Sequence, residues 1–233
     1  MIRSIAFIHT VALLVERLRP RFQAELPQQR CFHMLDESVL QDLLRDGPSA
    51  AITRRIVTLA TLAADAGADL IVFTCSSTSP AIDAARKLVP VPIVKIDDAM
   101  YAEAARRAGR VGLLCTTRST LEPSRSLLAE HAAASGTRVE PESVLVDGAF
   151  DALSAGRREE HDALVTQSAL ALAERADRLV LAQASLAHLA EPLAQRTGKP
   201  VFASTEWMVR DVIARVATAA EQATRNPTGR VLP

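Results

Sequence analysis

The chain has 233 residues, 48% hydrophobic and 3% aromatic, with 27 basic side chains balanced by 27 acidic ones. That length buries a sizeable core as one large domain or two small ones. Zero net charge and few aromatics argue against a broad nucleic-acid or anionic-membrane surface and against a base-stacking platform.

In chain order, the first twenty residues pair a basic residue with an apolar stretch, but His9 and Thr10 interrupt it, Glu16 and Arg17 close it, and no small-residue cleavage site follows. No apolar run reaches the roughly 20 residues that span a bilayer, so the expected location is cytoplasmic. Short apolar runs at 5–8, 31–35, 70–73, 91–96, 111–114, 144–146, 179–181 and 200–202 read as strands without polar alternation. That pattern suits parallel sheets covered on both faces. Between them, apolar residues at three- and four-residue spacing predict helices, with Ile52, Ile56, Leu59 and Leu62 as one inward face. The fold class is α/β with doubly wound topology. Gly67, Gly109, Gly136 and Gly198 are expected at helix ends, Pro90 and Pro92 at the start of a strand, and residues 225–233 as a frayed end.

An internal repeat organises the chain. Residues 67–77 resemble 175–185 at an offset of 108, which also lays Pro92 on Pro200, Asp98 on Glu206 and Met100 on Met208. An offset of 106 lays His9 on Cys115 and Thr10 on Thr116, and Asp36 matches Asp147 at 111. Two pseudo-symmetric α/β subdomains follow, 1–98 with 206–233 and 99–205, facing each other across one cleft. Ligands bind beyond the carboxyl ends of strands in such sheets. The loops there carry His9 and Thr10; Cys75, Ser76, Ser77 and Thr78; Cys115, Thr116 and Thr117; and Gln183, Ala184 and Ser185.

The cysteines Cys31, Cys75 and Cys115 are odd in number and lack metal-type spacing, which disfavours a disulfide framework or a metal site. Cys75 precedes a helix start marked by Ser76 to Pro80, where free N–H groups would bind a carboxylate and lower the thiol pKa. The ordinary alternative is a buried cysteine followed by a Ser/Thr cap. Cys115 is a weaker candidate, and Cys31, within a strand run, reads as structural. His9 is as consistent with a satisfied histidine as with acid/base work. Asp36, Asp97, Asp98 and Glu206 sit where capping alone explains an acid, although one of them could orient a catalytic group; Lys95 reads as an ordinary ion-pair partner, with a substrate carboxylate as the alternative.

These residues resemble the aspartate/glutamate racemase superfamily, with hydantoin racemase, maleate isomerase and arylmalonate decarboxylase relatives. The resemblance spans essentially the whole chain and rests on the two halves, the Thr74 to Thr78 segment, the Thr-rich turn after Leu114, and the Gln183-Ala184-Ser185 loop. It implies cofactor-independent racemisation with one thiol from each half, one removing the proton α to a carboxylate and the other returning a proton to the opposite face. Gln183 departs from that pattern, because an amide cannot exchange protons usefully near neutral pH. Arylmalonate decarboxylase has also lost one thiol but keeps that of the second half, whereas here the first-half thiol remains.

The expected function is therefore a racemase-like isomerase acting at the carbon α to a carboxylate, with Cys75, Gln183 and His9 as the catalytic set and the four loops, Cys115 included, as the binding set. Water, His9 or Cys115 would serve the second face. The alternatives are a lyase, a cis-trans isomerase in which Cys75 adds to the substrate, and a non-catalytic carboxylate-binding protein. The expected partner is a small carboxylic or amino acid. Dimers are common in the family, so a homodimer is an expectation of the resemblance alone.

Overall fold

The computed structural model describes residues 1–225; the expectation for the tail, apart from Arg225 itself, lies outside the described residues. Two four-stranded parallel sheets carry the fold. The first has the order β2-β1-β3-β4, built from β1 (Ser4–His9), β2 (Arg30–Leu35), β3 (Leu70–Phe73) and β4 (Ile93–Lys95). The second repeats it as β6-β5-β7-β8, from β5 (Gly109–Cys115), β6 (Val139–Leu145), β7 (Arg178–Leu181) and β8 (Val201–Ala203). Strands β1, β3 and β7 are buried along their whole length, as continuous apolar runs under helices on both faces require.

The sheets repeat each other in register. Ile5 pairs with Leu70 in the first, and Val111 with Arg178 in the second; Ile71 pairs with Ile93, and Leu179 with Val201. These are the 106 and 108 offsets of the sequence. The outer strands correct the third offset. Asp36 N–H donates to the His9 carbonyl and Val146 N–H to the Cys115 carbonyl, so Asp36 is equivalent to Val146, one residue before Asp147. Strand β6 also begins earlier than its apolar run suggests, because Glu140, Pro141 and Glu142 belong to an edge strand, where proline and exposed polar residues are tolerated.

Helices α1 (Ala12–Glu25), α2 (Glu37–Asp46), α3 (Ala50–Asp65) and α4 (Ser79–Leu88) join the strands of the first half. In α3 the Ser49 hydroxyl accepts the Ile52 N–H and caps the helix. Its buried face is Ile52, Ile56, Ala60 and Ala63, while Leu62 is exposed. The expected leucine face thus turns about one residue, so that small side chains meet the sheet.

Helix α5 (Asp98–Ala104) precedes α6 (Arg118–Ala134), α7 (Ala149–Ser154), α8 (Arg158–Ala173), α9 (Ala190–Thr197) and α10 (Ser204–Arg225). Two of these cross between halves. Met100 and Tyr101 of α5 pack with Val111, Leu113 and Val180 on the second sheet. Met208, Val209 and Val212 of α10 pack with Ile5, Phe7 and Val72 on the first. Gly109 opens β5 with φ 127°, rather than ending a helix as expected. Among the described residues no helix is long and apolar enough to cross a membrane.

Candidate active site between the two halves

Each sheet changes winding direction beside its first strand, between β1 and β3 and between β5 and β7. Open α/β sheets form their ligand crevice at such points. The loops that leave these strands line a cavity of about 390 Å³. Thr10, Thr74, Cys75, Ser76 and Ser77 come from the first half; Thr117, Thr120, Gln183, Ala184 and Ser185 come from the second. The rest of the wall is mainly apolar, from α1, α2 and α7, and among the described residues Arg17 is its one formally charged side chain. A more open groove of about 590 Å³ shares Leu44, Thr117 and Phe150 with it and extends to Thr116, Arg118, Asp147 and Asp151.

Cys75 follows β3 in extended backbone, and a single 3-10 turn, Ser76–Thr78, separates it from α4 with Pro80 in its first turn. The Ser77 and Thr78 N–H groups and the Thr10 hydroxyl face the sulfur and favour its thiolate. That hydroxyl is buried without an oxygen or nitrogen partner. Burial nevertheless wins, pushing the thiol above its ordinary value, and the negative charge of Asp97 adds to it. The expectation of a depressed thiol is therefore corrected: the donors form one short turn, because the α-helix itself starts only at Ser79. No side chain in this turn or at Thr117 caps the following helix, so capping does not explain these hydroxyls.

Ser77 instead joins the halves. Its hydroxyl lies 3.4 Å from that of Ser119 and 3.2 Å from that of Thr120 in α6. Thr78 is buried, with its hydroxyl donated to the Cys75 carbonyl at 2.7 Å, and shapes the turn rather than the wall.

Gln183 occupies the place in the second half that Cys75 has in the first. Leu186 N–H donates to its carbonyl as Thr78 N–H does to that of Cys75. Its side-chain oxygen accepts from the Thr116 N–H at 2.5 Å and the Thr116 hydroxyl at 3.0 Å, and its amide nitrogen donates to the Thr117 hydroxyl at 3.4 Å. Thr116 therefore borders the larger groove and holds Gln183, and does not line the smaller cavity.

Besides Thr78 and Thr116, two more expected site residues, His9 and Cys115, lie outside that cavity. His9 is fully buried, with Nε2 2.9 Å from His33 Nδ1 and Nδ1 2.8 Å from the Thr74 hydroxyl. Burial and its neighbours His33 and Arg19 lower its pKa to about 3. The ring stacks with Phe7 and His33 at the end of a buried strand and does not line the cavity, which takes it out of the proton-transfer set. Cys115, also fully buried, is pushed up to about 12 by desolvation, so it is a core residue in place of an anion-binding one.

Asp97, one of four acids with no assigned role from sequence, proves to be the acid behind Cys75. It is buried, accepts from Ser79 at 3.4 Å, and has its pKa raised to about 7 by burial and then by the charge of Asp98. Asp36 is paired with Arg55, Asp98 with Arg86, and Lys95 with Asp83. The apolar wall, Leu40, Ile96, Phe150 and Leu153 among it, had no local signal, since it assembles from separate elements. Among the described residues no group of three or more His, Cys, Asp or Glu is placed to hold a metal ion.

The family model described as Asp/Glu/Hydantoin racemase matches residues 8–212. No curated protein matches the chain by sequence. Similar solved structures include the Picrophilus torridus aspartate racemase, with TM-score 0.67 and 11% identity over 92% of this chain and 94% of that one. The allantoin racemase from Klebsiella pneumoniae gives 0.66 and 20% over 93% and 89%. A mutant of arylmalonate decarboxylase gives 0.59 and 18% over 92% of this chain and 93% of that one. At these identities the structural likeness establishes the shared fold.

Proposed function

The chain belongs to the Asp/Glu/hydantoin racemase family, and from that premise we propose that it is a cofactor-independent isomerase acting at the carbon α to a carboxylate of a small acid, with Cys75 as its proton-transfer group. One observation carries this reading: the Cys75 sulfur, faced by the Thr10 hydroxyl and the Ser77 and Thr78 N–H groups, sits in the wall of the inter-half cavity. The thiolate takes the α-proton, and the C–H electron pair moves into the carboxylate to give an enediolate. Preorganised hydroxyl and N–H donors stabilise the charge that develops there. The thiol then returns its proton to the same face, or water protonates the other and the hydroxide so formed takes the thiol proton, which restores the thiolate and the water. Neither His9 nor Cys115 lines the cavity, so water is the partner for the second face.

The same geometry favours a second reading. Among the described residues lining the cavity, Cys75 is the one group able to give a proton near neutral pH. A malonate-type acid could lose carbon dioxide, leaving the bonding pair as an enediolate that the Cys75 thiol protonates on one face. The thiolate is then reprotonated by water.

Incubation of candidate acids in deuterated water separates these readings. Deuterium at the α-carbon without gas release supports isomerase chemistry, and carbon dioxide release supports the lyase. Cys75→Ser should keep the fold and lose at least about 100-fold in rate, since a hydroxyl is a far weaker base near neutral pH. Full turnover by that variant would remove Cys75 from the mechanism.

A further inference from the structure

The two halves carry equivalent donors, but the first set faces the Cys75 sulfur while the second is taken up by the Gln183 amide. Thr10 and Cys75 in the first half match Thr116 and Gln183 in the second. The Thr10 hydroxyl has no oxygen or nitrogen partner, while the Thr116 N–H and hydroxyl both donate to the Gln183 side-chain oxygen. That oxygen sits where an acceptor from a ligand would otherwise bond. A carboxylate reaching the second half would find these donors taken, and burying an unpaired charge is costly.

The rest of the wall agrees. Leu40, Ile96, Phe150 and Leu153 line the cavity with no acidic or amide group among them. Leu13 and Leu44 also line it while remaining 46% and 40% exposed, leaving apolar surface that a ligand's apolar group would cover. Among the described residues Arg17 is the single charged lining residue, and it complements one negative charge.

We propose that Gln183 is a specificity-determining residue that acts as a built-in ligand of the Thr116 turn, restricting the site to acids with one carboxylate and an apolar substituent. The carboxylate lies at the Cys75 loop, and the substituent rests on the leucine and phenylalanine wall. The inference rests on the proposed function in placing the ligand in this cavity, it favours the isomerase reading over the malonate-type lyase, and it is tested by binding instead of turnover.

Isothermal titration calorimetry of wild-type protein and Cys75→Ser with phenylacetate and with succinate is the experiment. Phenylacetate should bind at least about tenfold more tightly to both, a difference of about 1.4 kcal/mol. Gln183→Ala, and the milder Gln183→Asn, whose shorter side chain withdraws the carbonyl, should raise succinate affinity about tenfold and narrow the ratio. Equal affinities in wild type, no phenylacetate binding at millimolar concentration, or an unchanged ratio in a folded Gln183 variant would overturn the proposal. So would a phenylacetate complex in which Gln183 leaves Thr116 to bond the ligand, a readout that needs no variant. Selective binding without proton exchange would overturn the proposed reaction alone, and exchange without this selectivity would overturn the specificity alone.

Discussion

At the level of single residues, the Cys75 thiol is set by opposing effects whose sum the local sequence does not reveal. Three donors favour the thiolate, yet burial and the Asp97 charge leave the pKa raised. A reaction that needs the thiolate should therefore gain rate toward alkaline pH, on a limb above the ordinary thiol value of about 8.5. Asp97→Asn removes a negative charge that disfavours the thiolate, so the limb of the kcat/KM profile should move to lower pH. A purely structural role for Asp97 would lower the rate and leave the limb where it is.

The buried imidazoles give a separate pH effect. His9 and His33 are lowered from 6.5 to about 3 and about 4, chiefly by burial. The unfolded chain then takes up protons that the folded chain refuses, so their contribution is complete above pH 6.5 and lost as pH falls through 4 toward 3. The pair His9→Leu with His33→Leu leaves the Thr74 hydroxyl its bond to the Ile8 carbonyl at 3.2 Å. Urea unfolding of this double variant should gain on wild type by a few kcal/mol, on the order of what such shifts imply, between pH 6.5 and 4. Asp97, whose raised value works in the opposite direction, is common to both proteins and cancels; a pH-independent difference would refute the assignment.

For the strands and helices, close packing decides which small residues are needed. Ala6 of β1 lies in the core under α3, and its counterpart in β5 is Gly112. A Cβ at Gly112 would stand 2.8 Å from the fully buried side chains of Leu172 in α8 and Leu179 in β7. Gly112→Ala should cost about 1–3 kcal/mol by overpacking, read as a lower urea midpoint at unchanged slope. Full stability would mean that α8 moves freely away from the sheet. Element positions were largely legible from uninterrupted apolar runs, because the central strands are buried on both faces. The start of β6 was not, since an edge strand has no such requirement. The α3 face differs from its leucine periodicity because helix-to-sheet distance, which favours Ala60 and Ala63 over Leu62, is a property of the packed pair.

In the whole molecule, the duplication places equivalent loops opposite each other and gives the equivalent helices α5 and α10 to the partner sheets. Met100 and Met208, 108 residues apart, are both fully buried, one in the second half's core and the other in the first's. Each half therefore needs the other's chain to complete its core. The relation also predicts where a second thiol could be introduced. Gln183→Cys should raise interconversion of the two mirror forms relative to same-face proton exchange, measured by chiral chromatography against deuterium incorporation. An unchanged ratio in a folded variant with a titratable new thiol would show that the second face is closed to it.

By itself the sequence determined the alternation of strands and helices, the twofold repeat, and thus which loops could face one another, with Cys75 and Gln183 in equivalent places. Those features follow from hydrophobic periodicity and self-similarity, which are written along the chain. Tertiary structure alone decided that His9 and Cys115 lie in the core, that burial raises the Cys75 thiol, and that Gln183 closes the Thr116 donors. Each depends on desolvation or on a hydrogen bond between residues far apart in sequence, such as the 67 positions that separate Thr116 from Gln183, and such effects exist only once the sheets have assembled.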